Sequence, residues 1–243
     1  MTAPLLRENE IVFCAGKKGS GKSTLLYDYF VTRSPRTISL DFVGDVKERN
    51  PHAMEVVGYA ALLAKLSELV AARVERWHIA AVFDAYTERE LPQLFRLLCP
   101  PYDPVRISLP RALGGIALEC SECDVILPNG GASVEARNMV KRGRHNLLSL
   151  LFATQRPQEC SRLCTSQADF VISFAMHEPN ELKYFARIAP RYSALLPHLP
   201  PFYSAWYEPA TGLVEIRDPQ GNTAKTYNLR SDAQLDLTGY APG

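Results

Sequence analysis

The sequence predicts an α/β fold in which helices flank a mostly parallel central sheet. Three observations support this prediction. Short apolar runs alternate with segments of helical spacing along most of the chain, the pattern of strand–helix–strand units. A glycine-rich loop at residues 16–23 joins the first strand to the first helix. The 243 residues, of which 47% are hydrophobic, are enough to bury the core of one such domain.

Apolar runs and helical spacing define the predicted elements in order. Six strands are predicted, over residues 11–15, 36–42, 77–83, 115–120, 146–153 and 168–174. Five helices are predicted, over residues 23–30, 59–75, 88–98, 133–142 and 179–188. Residues 99–110 contain four prolines and are predicted to form a loop.

The end of the chain has a different pattern. Apolar runs at 202–207 and 213–216, joined by a Pro-Ala-Thr-Gly segment, predict a β-hairpin. We therefore divide the chain into a core at residues 1–199 and a C-terminal hairpin and tail at residues 200–243, packed on that core.

The loop at residues 16–23 matches the phosphate-binding pattern G-x-x-x-x-G-K-[ST]. Its glycines let successive N–H groups face one phosphate, and the following helix adds partial positive charge. Lys22 is expected to reach the β- and γ-phosphates and Ser23 to hold Mg²⁺. The strand, loop and helix occur in the required order, so we predict a nucleoside triphosphate site. The expected contacts are Gly16, Lys17, Lys18, Gly19, Ser20, Gly21, Lys22, Ser23 and Thr24.

Composition excludes some classes of protein. The net charge of +1 gives no global basic field, so any nucleic-acid contact must come from local clusters or from a ring that concentrates them. No stretch approaches the length of a membrane span, and residues 1–8 lack the apolar core of a signal peptide. We expect a soluble, intracellular protein.

The six cysteines allow two interpretations. The pairs Cys120/Cys123 and Cys160/Cys164 have loosely zinc-like spacing. We favour free thiols, because Cys14 and Cys120 lie in apolar strands, where cysteine behaves as a small hydrophobic residue.

Asp41 to Gly44 imitate the D-x-x-G motif of GTPases. Only 17 residues separate Ser23 from Asp41, which leaves little room for a switch segment, and no N-K-x-D motif occurs. The sequence therefore disfavours a GTPase.

Two other strands end in acids. One delivers Asp84, and the other carries Glu119, Ser121 and Glu122. We favour the second, because a further buried strand follows it and ends in Gln155. An amide at the end of a strand beside the P-loop strand is placed to sense the γ-phosphate or the attacking water.

Five segments of the chain carry a resemblance to a known family: Gly16–Ser23, Ser121-Glu122, Lys141–His145, Ala153–Pro157 and Ser166–Phe174. In these segments and in their order the chain resembles the FtsK/HerA superfamily of DNA-pumping ATPases. The resemblance spans about residues 8–190, and it looks greatest to the compact genome-packaging ATPases of membrane-containing viruses with double-jelly-roll capsids. It implies a RecA-like (ASCE) P-loop NTPase core.

The resemblance implies roles for individual residues. Glu122 matches the general base that polarises the attacking water, and Gln155 matches the polar sensor. Ser121 stands where the family usually has an aspartate on the Mg²⁺ side. Glu119, on the same strand face, or Asp84, from a neighbouring strand, are the alternatives for supplying that charge.

Arg142 and Arg144 lie at the end of the fourth predicted helix, and two interpretations stay open. They either complement the helix dipole, or one of them is an arginine finger that reaches the nucleotide of the next subunit. Arg156 is a third candidate for the finger. A finger in trans requires an oligomer, expected as a hexameric ring.

The expected function is ATP hydrolysis coupled to translocation of double-stranded DNA, in viral genome packaging. DNA contacts would be to phosphates and independent of sequence, from side chains such as Lys17, Lys18, Arg137 and Lys141. Expected partners also include capsid-vertex or membrane-associated viral proteins, and the expected location is the host cytoplasm or the virion. The alternatives are an assembly or export ATPase that switches protein partners, and a small-molecule kinase.

Overall fold

The computed structural model describes residues 9–84, 88–101 and 107–231. In these residues a single sheet contains ten strands, in the order β10-β9-β8-β7-β1-β6-β5-β2-β4-β3. The strands are β1 (Ile11–Ala15), β2 (Arg36–Asp41), β3 (Met54–Val57), β4 (Trp77–Val82), β5 (Ile116–Cys120), β6 (Leu148–Thr154), β7 (Phe170–Phe174), β8 (Ser204–Glu208), β9 (Leu213–Arg217) and β10 (Thr223–Asn228).

Helices cover both faces of the sheet. They are α1 (Lys22–Tyr29), α2 (Val46–Arg49), α3 (Gly58–Ala71), α4 (Leu91–Leu98), α5 (Leu109–Leu113), α6 (Cys123–Ile126), α7 (Val134–Arg142), α8 (Leu163–Ser166), α9 (Pro179–Ala186) and α10 (Pro190–Leu195). Among the described residues, no helix combines the length and the apolar character needed to cross a bilayer.

The strands from β7 to β3 in the sheet order run parallel, whereas β8, β9 and β10 are antiparallel. All residues of β1, β5 and β6 are buried, as expected for parallel strands covered on both faces. Side chains alternate between the faces. Val12 and Cys14 pack with Leu25 and Leu26 of α1, while Phe13 belongs to the larger cluster on the opposite face.

The register places the candidate functional segments at the end of the sheet where the parallel strands terminate. Ala15, the last residue of β1, is opposite Thr154 of β6 and Ser173 of β7. Cys120, the last residue of β5, is opposite Phe152 of β6. The P-loop and the segments that follow β5 and β6 therefore leave the sheet on the same side, where ligands bind in open α/β sheets.

The predicted fold class is confirmed, including the six parallel strands and the C-terminal hairpin. The sequence analysis missed β3, a short, partly exposed edge strand, and β10, whose polar sequence has no buried residue. Neither strand has the apolar run on which the predictions depended. The predicted loop at residues 99–110 contains the start of α5, while its residues 102–106 lie outside the described part.

The C-terminal hairpin extends the central sheet. β8 pairs with β7, and Trp206 lies opposite Ile172. Trp206 is buried against Phe30 and Ile172 on the face that α1 covers. The boundary between residues 199 and 200 stays a prediction, and residues 1–8 and the tail at 232–243 lie outside the described residues.

Candidate functional site

The P-loop connects β1 to α1 in a conformation that requires glycine. Gly21 has φ of 101° at the start of α1, in the left-handed region that favours glycine. A Cβ atom on Gly16 would lie 2.6 Å from Ser20 Oγ and 3.1 Å from Phe174 Cβ. The backbone N–H of Gly16 donates to the Thr154 carbonyl at 3.2 Å, which ties the loop to β6.

Lys22 and Ser20 indicate which kind of ligand this loop suits. The Lys22 side chain is buried, and its Nζ donates to the Lys17 carbonyl at 2.9 Å. Burial lowers the pKa of the Lys22 ammonium. Ser20 Oγ is buried and has no hydrogen-bond partner within the described residues. A desolvated cation beside an unpartnered hydroxyl fits a phosphate group, so these residues suit a nucleoside triphosphate.

The other predicted phosphate contacts surround this pair. Lys17 and Lys18 are exposed, and Lys17 Nζ lies 3.6 Å from Glu178. Ser23 and Thr24 lie in the first turn of α1, and both line a cavity of about 420 Å³ beside the loop. Ser23 is placed to ligate Mg²⁺ together with phosphate oxygens and water, the coordination this ion commonly keeps in phosphate sites. In the described ranges, no cluster of three or more His, Cys, Asp or Glu side chains is arranged to hold a metal ion.

Ser121 is in direct contact with one of its two predicted substitutes. Its hydroxyl donates to Glu119 Oε1 at 2.5 Å, and Arg49 approaches the same hydroxyl at 3.4 Å. Burial raises the pKa of the Glu119 carboxyl, and the hydrogen bond from Ser121 opposes that rise. The Glu119 carboxylate therefore lies directly beside the Ser121 hydroxyl.

Asp84 lies far from the P-loop. It follows β4, which is separated from β1 by β2, β5 and β6. At the usual spacing of neighbouring strands, this corresponds to about 19 Å across the sheet. Of the two acidic strand ends considered from the sequence, only the one after β5 lies near the P-loop.

Glu122 and Gln155 leave the same edge of the sheet. Glu122 precedes α6 at the end of β5, and Gln155 follows β6, the strand that lies between β5 and β1. Burial raises the pKa of the half-buried Glu122 carboxyl, and the charges of three further acids raise it further. These acids are Asp124, Asp45 and Asp41. Within the described chain the Glu122 carboxylate has no hydrogen-bond partner, so its oxygens are available to a water molecule.

Thr154 is a residue of the site that the sequence analysis did not identify. Its Oγ1 donates to Asp124 Oδ1 at 2.9 Å and accepts from the Arg156 N–H at 2.9 Å. Its carbonyl accepts a hydrogen bond from the N–H of Gly16. Thr154 is thus bonded to the P-loop, to the segment after β5 through Asp124, and to the segment after β6 through Arg156. The Thr-Gln order at the end of β6 was visible in the sequence, but its partners lie far away along the chain.

Asp41 has a structural role that explains its GTPase-like sequence. Its buried carboxylate accepts backbone N–H groups of Gly44 at 2.7 Å and Val46 at 3.1 Å. These bonds fix the turn into α2, which carries Arg49. Arg49 in turn pairs with Asp45 at 2.7 Å. Nothing in the residues around Arg49 indicates that this arginine meets Ser121.

Arg142 and Arg144 lie near the end of the sheet where the parallel strands begin, whereas the P-loop lies where they terminate. Arg144 Nη2 donates to Asp169 Oδ2 at 2.9 Å, and the same oxygen accepts the N–H of Ile11 at 2.7 Å. Ile11 begins β1, whereas the P-loop follows its end, about 13 Å further along the strand. Arg142 ends α7 just before this region. Neither arginine is therefore close to the P-loop of its own chain.

Arg156 lies at the P-loop edge, where it is exposed and pairs with Glu159 at 3.4 Å. It is the candidate that follows Gln155 directly.

The cysteines are buried free thiols. Cys123, next to Glu122, has its sulfur 3.4 Å from that of Cys160, and Cys164 lies beside it as well. The two cysteine pairs of the zinc interpretation, which the sequence disfavours, thus come together in part, through Cys123.

Solved viral packaging proteins share this fold. B204, the genome packaging NTPase of Sulfolobus turreted icosahedral virus 2, aligns in its AMPPCP complex with a TM-score of 0.69 and 20% identity, covering 86% of this chain and 97% of that chain. Its AMP complex gives 0.72 and 20% identity, with coverage of 88% and 99%. B204 of Sulfolobus Turreted Icosahedral Virus, a DNA-packaging ATPase, gives 0.67 and 21%, with coverage of 88% and 99%.

No protein-family model matches the sequence, and no curated protein matches it either. The likeness to the solved structures concerns the fold. At that level it confirms the resemblance to compact packaging ATPases.

Proposed function

We propose that this protein hydrolyses ATP and uses the energy to move double-stranded DNA during viral genome packaging. The observation that carries the proposal is the position of β6 between the P-loop strand β1 and the acid-bearing strand β5. This order brings Glu122 and Gln155 to the edge where the P-loop begins. The B204 structures with AMPPCP and ATP-gammaS, which share the fold, support ATP as the nucleotide.

Hydrolysis is an in-line attack of water on the γ-phosphorus, with the proton passing to Glu122 as the new P–O bond forms and the bond to the β-phosphate oxygen breaks. Lys22 stabilises the charge that develops on the phosphate oxygens. Mg²⁺, when bound, neutralises further phosphate charge, and Ser23, Ser121 and Glu119 are the residues that would hold it, directly or through water. Gln155 senses whether the γ-phosphate is present.

The oligomer is proposed to be a hexameric ring in which an arginine acts in trans. Arg144 and Arg142 face away from their own nucleotide, so a catalytic role for either requires a neighbouring subunit. Arg156, at the P-loop edge, would act within its own site.

The other partners and the location are proposals that depend on the packaging function: capsid-vertex or membrane-associated viral proteins, in the host cytoplasm or the virion.

DNA contacts are proposed to be phosphate contacts from a few exposed cations. Arg137 and Lys141 are one helical turn apart on α7, both exposed, and within the described residues neither has an ion-pair partner. Repeated around a ring, such pairs would concentrate positive charge that the near-neutral subunit lacks.

The function is tested by measuring ATP hydrolysis with and without duplex DNA of several sequences. We expect severalfold stimulation that does not depend on sequence and that weakens as salt rises. The double variant Arg137→Gln/Lys141→Gln is expected to lose stimulation while keeping the basal rate. Phosphate transfer to a metabolite without stimulation would favour the kinase, and ATP-dependent retention of a protein partner without either effect would favour the switching ATPase.

The arginine finger is tested by mixing two inactive variants. Arg144→Ala and Glu122→Gln are each expected to hydrolyse ATP poorly, with a loss of about 10³-fold or more for a missing finger. Mixed rings should regain activity, because some interfaces then combine an intact Arg144 with an intact Glu122. Arg142→Ala, mixed in the same way, identifies which arginine acts.

Asp169→Asn is the matched control for the Arg144 variant. It weakens the ion pair of Arg144 but leaves the arginine present. If Arg144 only holds the edge of the sheet, both variants lower the melting temperature alike and mixing restores no activity.

A further inference from the structure

The cavity beside the P-loop has two walls that come from distant parts of the chain. Its volume is about 420 Å³. One side consists of the P-loop and the outer face of α1, with Leu25, Asp28 and Tyr29. The other side comes from the end of β7 and the C-terminal hairpin, with Phe174, Phe202, Ser204, Trp206, Asp218 and Pro219. The hairpin thus builds a wall directly opposite the phosphate-binding loop.

Trp206 is a rigid part of this wall. Its ring stacks on Phe30 at 5.8 Å between centroids and meets Tyr29 edge-on at 5.3 Å. The guanidinium of Arg217 lies 4.0 Å from the ring centroid, and Nε1 donates to Ser204 Oγ at 2.9 Å. Trp206 is buried, and these four contacts fix its ring between α1 and the C-terminal hairpin.

The loop after β9 is also held against α1. Asp218 accepts the N–H of Asn222 at 2.8 Å, which closes a tight turn. A Cβ on Gly221 would clash with the Tyr29 hydroxyl, so the backbone of this loop lies directly on the tyrosine. This contact keeps Asp218 and Pro219 at the cavity.

Phe202 is the unusual member of the wall. Its side chain is 59% exposed, although it is a large aromatic group. Its φ of 64° lies in the left-handed region, where a bulky residue is an outlier. The Tyr203 N–H donates to the Pro200 carbonyl at 3.1 Å, so Phe202 lies in a tight turn that fixes its backbone. The turn holds the ring at the cavity, where most of its surface is not packed against the protein.

We propose that the C-terminal wall is the nucleoside subsite, in which the nucleobase stacks on Phe202 while the triphosphate lies in the P-loop. The proposal rests on the proposed function, since it assigns the base end of the same nucleotide. An aromatic ring accepts any base through its π face. The carboxylates of Asp28 and Asp218 line the same cavity and accept hydrogen bonds only, so they suit ribose hydroxyls or an amino-substituted base, and not a further phosphate.

The test compares two ligands that share the triphosphate and differ in the nucleoside. Binding of ATP and of inorganic tripolyphosphate is measured by calorimetry on the full chain, for wild type and for Phe202→Gly. Glycine relieves the strain at this φ, so the variant should unfold at the same temperature as wild type or higher. We expect ATP affinity to fall about tenfold or more, the range of base–aromatic stacking, and tripolyphosphate affinity to stay unchanged. Phe202→Tyr should restore ATP affinity.

The outcomes separate this proposal from the proposed function. If wild type binds neither ligand, both fail. If both ligands bind and Phe202→Gly changes neither affinity, the nucleoside subsite is wrong while the triphosphate site stands. Equal losses for both ligands together with a lower melting temperature would mean that Phe202 is structural, which also overturns the proposal.

Discussion

Replacing Glu122 by glutamine is expected to abolish ATP turnover while nucleotide binding is retained. The amide keeps the size of the side chain but cannot accept the proton of the attacking water, and the loss of a general base typically costs about 10²–10⁴-fold in rate. Binding should persist, because the phosphate contacts come from the P-loop at the other end of the site. Single-turnover hydrolysis and equilibrium binding of ATP, measured on the same preparation, check both parts.

Asp84→Asn is the matched control for the Glu122 variant. Both substitutions convert an acid at the end of a parallel strand into its amide, but Asp84 follows β4, on the far side of β2 from β5. The Asp84 variant should hydrolyse ATP at the wild-type rate. An inactive Asp84 variant alongside an active Glu122 variant would show that the acidic strand has been assigned incorrectly.

Replacing Lys22 by methionine is expected to lower the affinity for ATP without lowering the melting temperature of the free protein. Among the residues that the structure describes, the buried Lys22 ammonium has no ion-pair partner. Burial lowers its pKa, so folding disfavours the charged form. Removing the charge should therefore leave the melting temperature of the free protein unchanged or higher. ATP affinity should fall by about 30-fold or more, because truncating one partner of a buried charge pair typically costs 2–5 kcal/mol.

Thermal unfolding with and without ATP and Mg²⁺ measures both effects together. Wild type should be stabilised by the ligand according to its affinity, and the Lys22 variant should show little of this shift. Lys65→Met serves as the control for removing one positive charge, since Lys65 lies on α3 in an exposed pair with Glu68. An Lys22→Met protein that ATP stabilises as strongly as wild type would contradict the assignment of the P-loop lysine.

Local sequence was sufficient wherever the information is contained in a short segment. The P-loop at residues 16–23 was identified from its own pattern, because its glycines, its lysine and the following helix are consecutive in the chain. The central strands were predicted because parallel strands buried on both faces are continuous apolar runs. The same criterion missed β3 and β10, which lie at the two edges of the sheet and are partly or fully exposed.

Residue pairs from distant segments could not be predicted in this way. Thr154 meets Asp124, and Arg49 meets Ser121, only because their strands are neighbours in the sheet. The Asp-x-x-Gly segment at Asp41 imitates a GTPase motif, which the sequence disfavours on spacing. Its carboxylate accepts backbone N–H groups in the turn into α2, a role that the segment itself does not reveal.

The P-loop α/β core, with acids and an amide at its strand ends, follows from the sequence alone. The structure shows which of those strand ends lie near the P-loop. It placed β5 near β1 and β4 far from it, sent Arg144 to the opposite edge, and brought the C-terminal hairpin against the P-loop. The physical reason is that strand order depends on packing among segments far apart in the chain, and a local pattern of residues carries no information about its neighbours in the sheet.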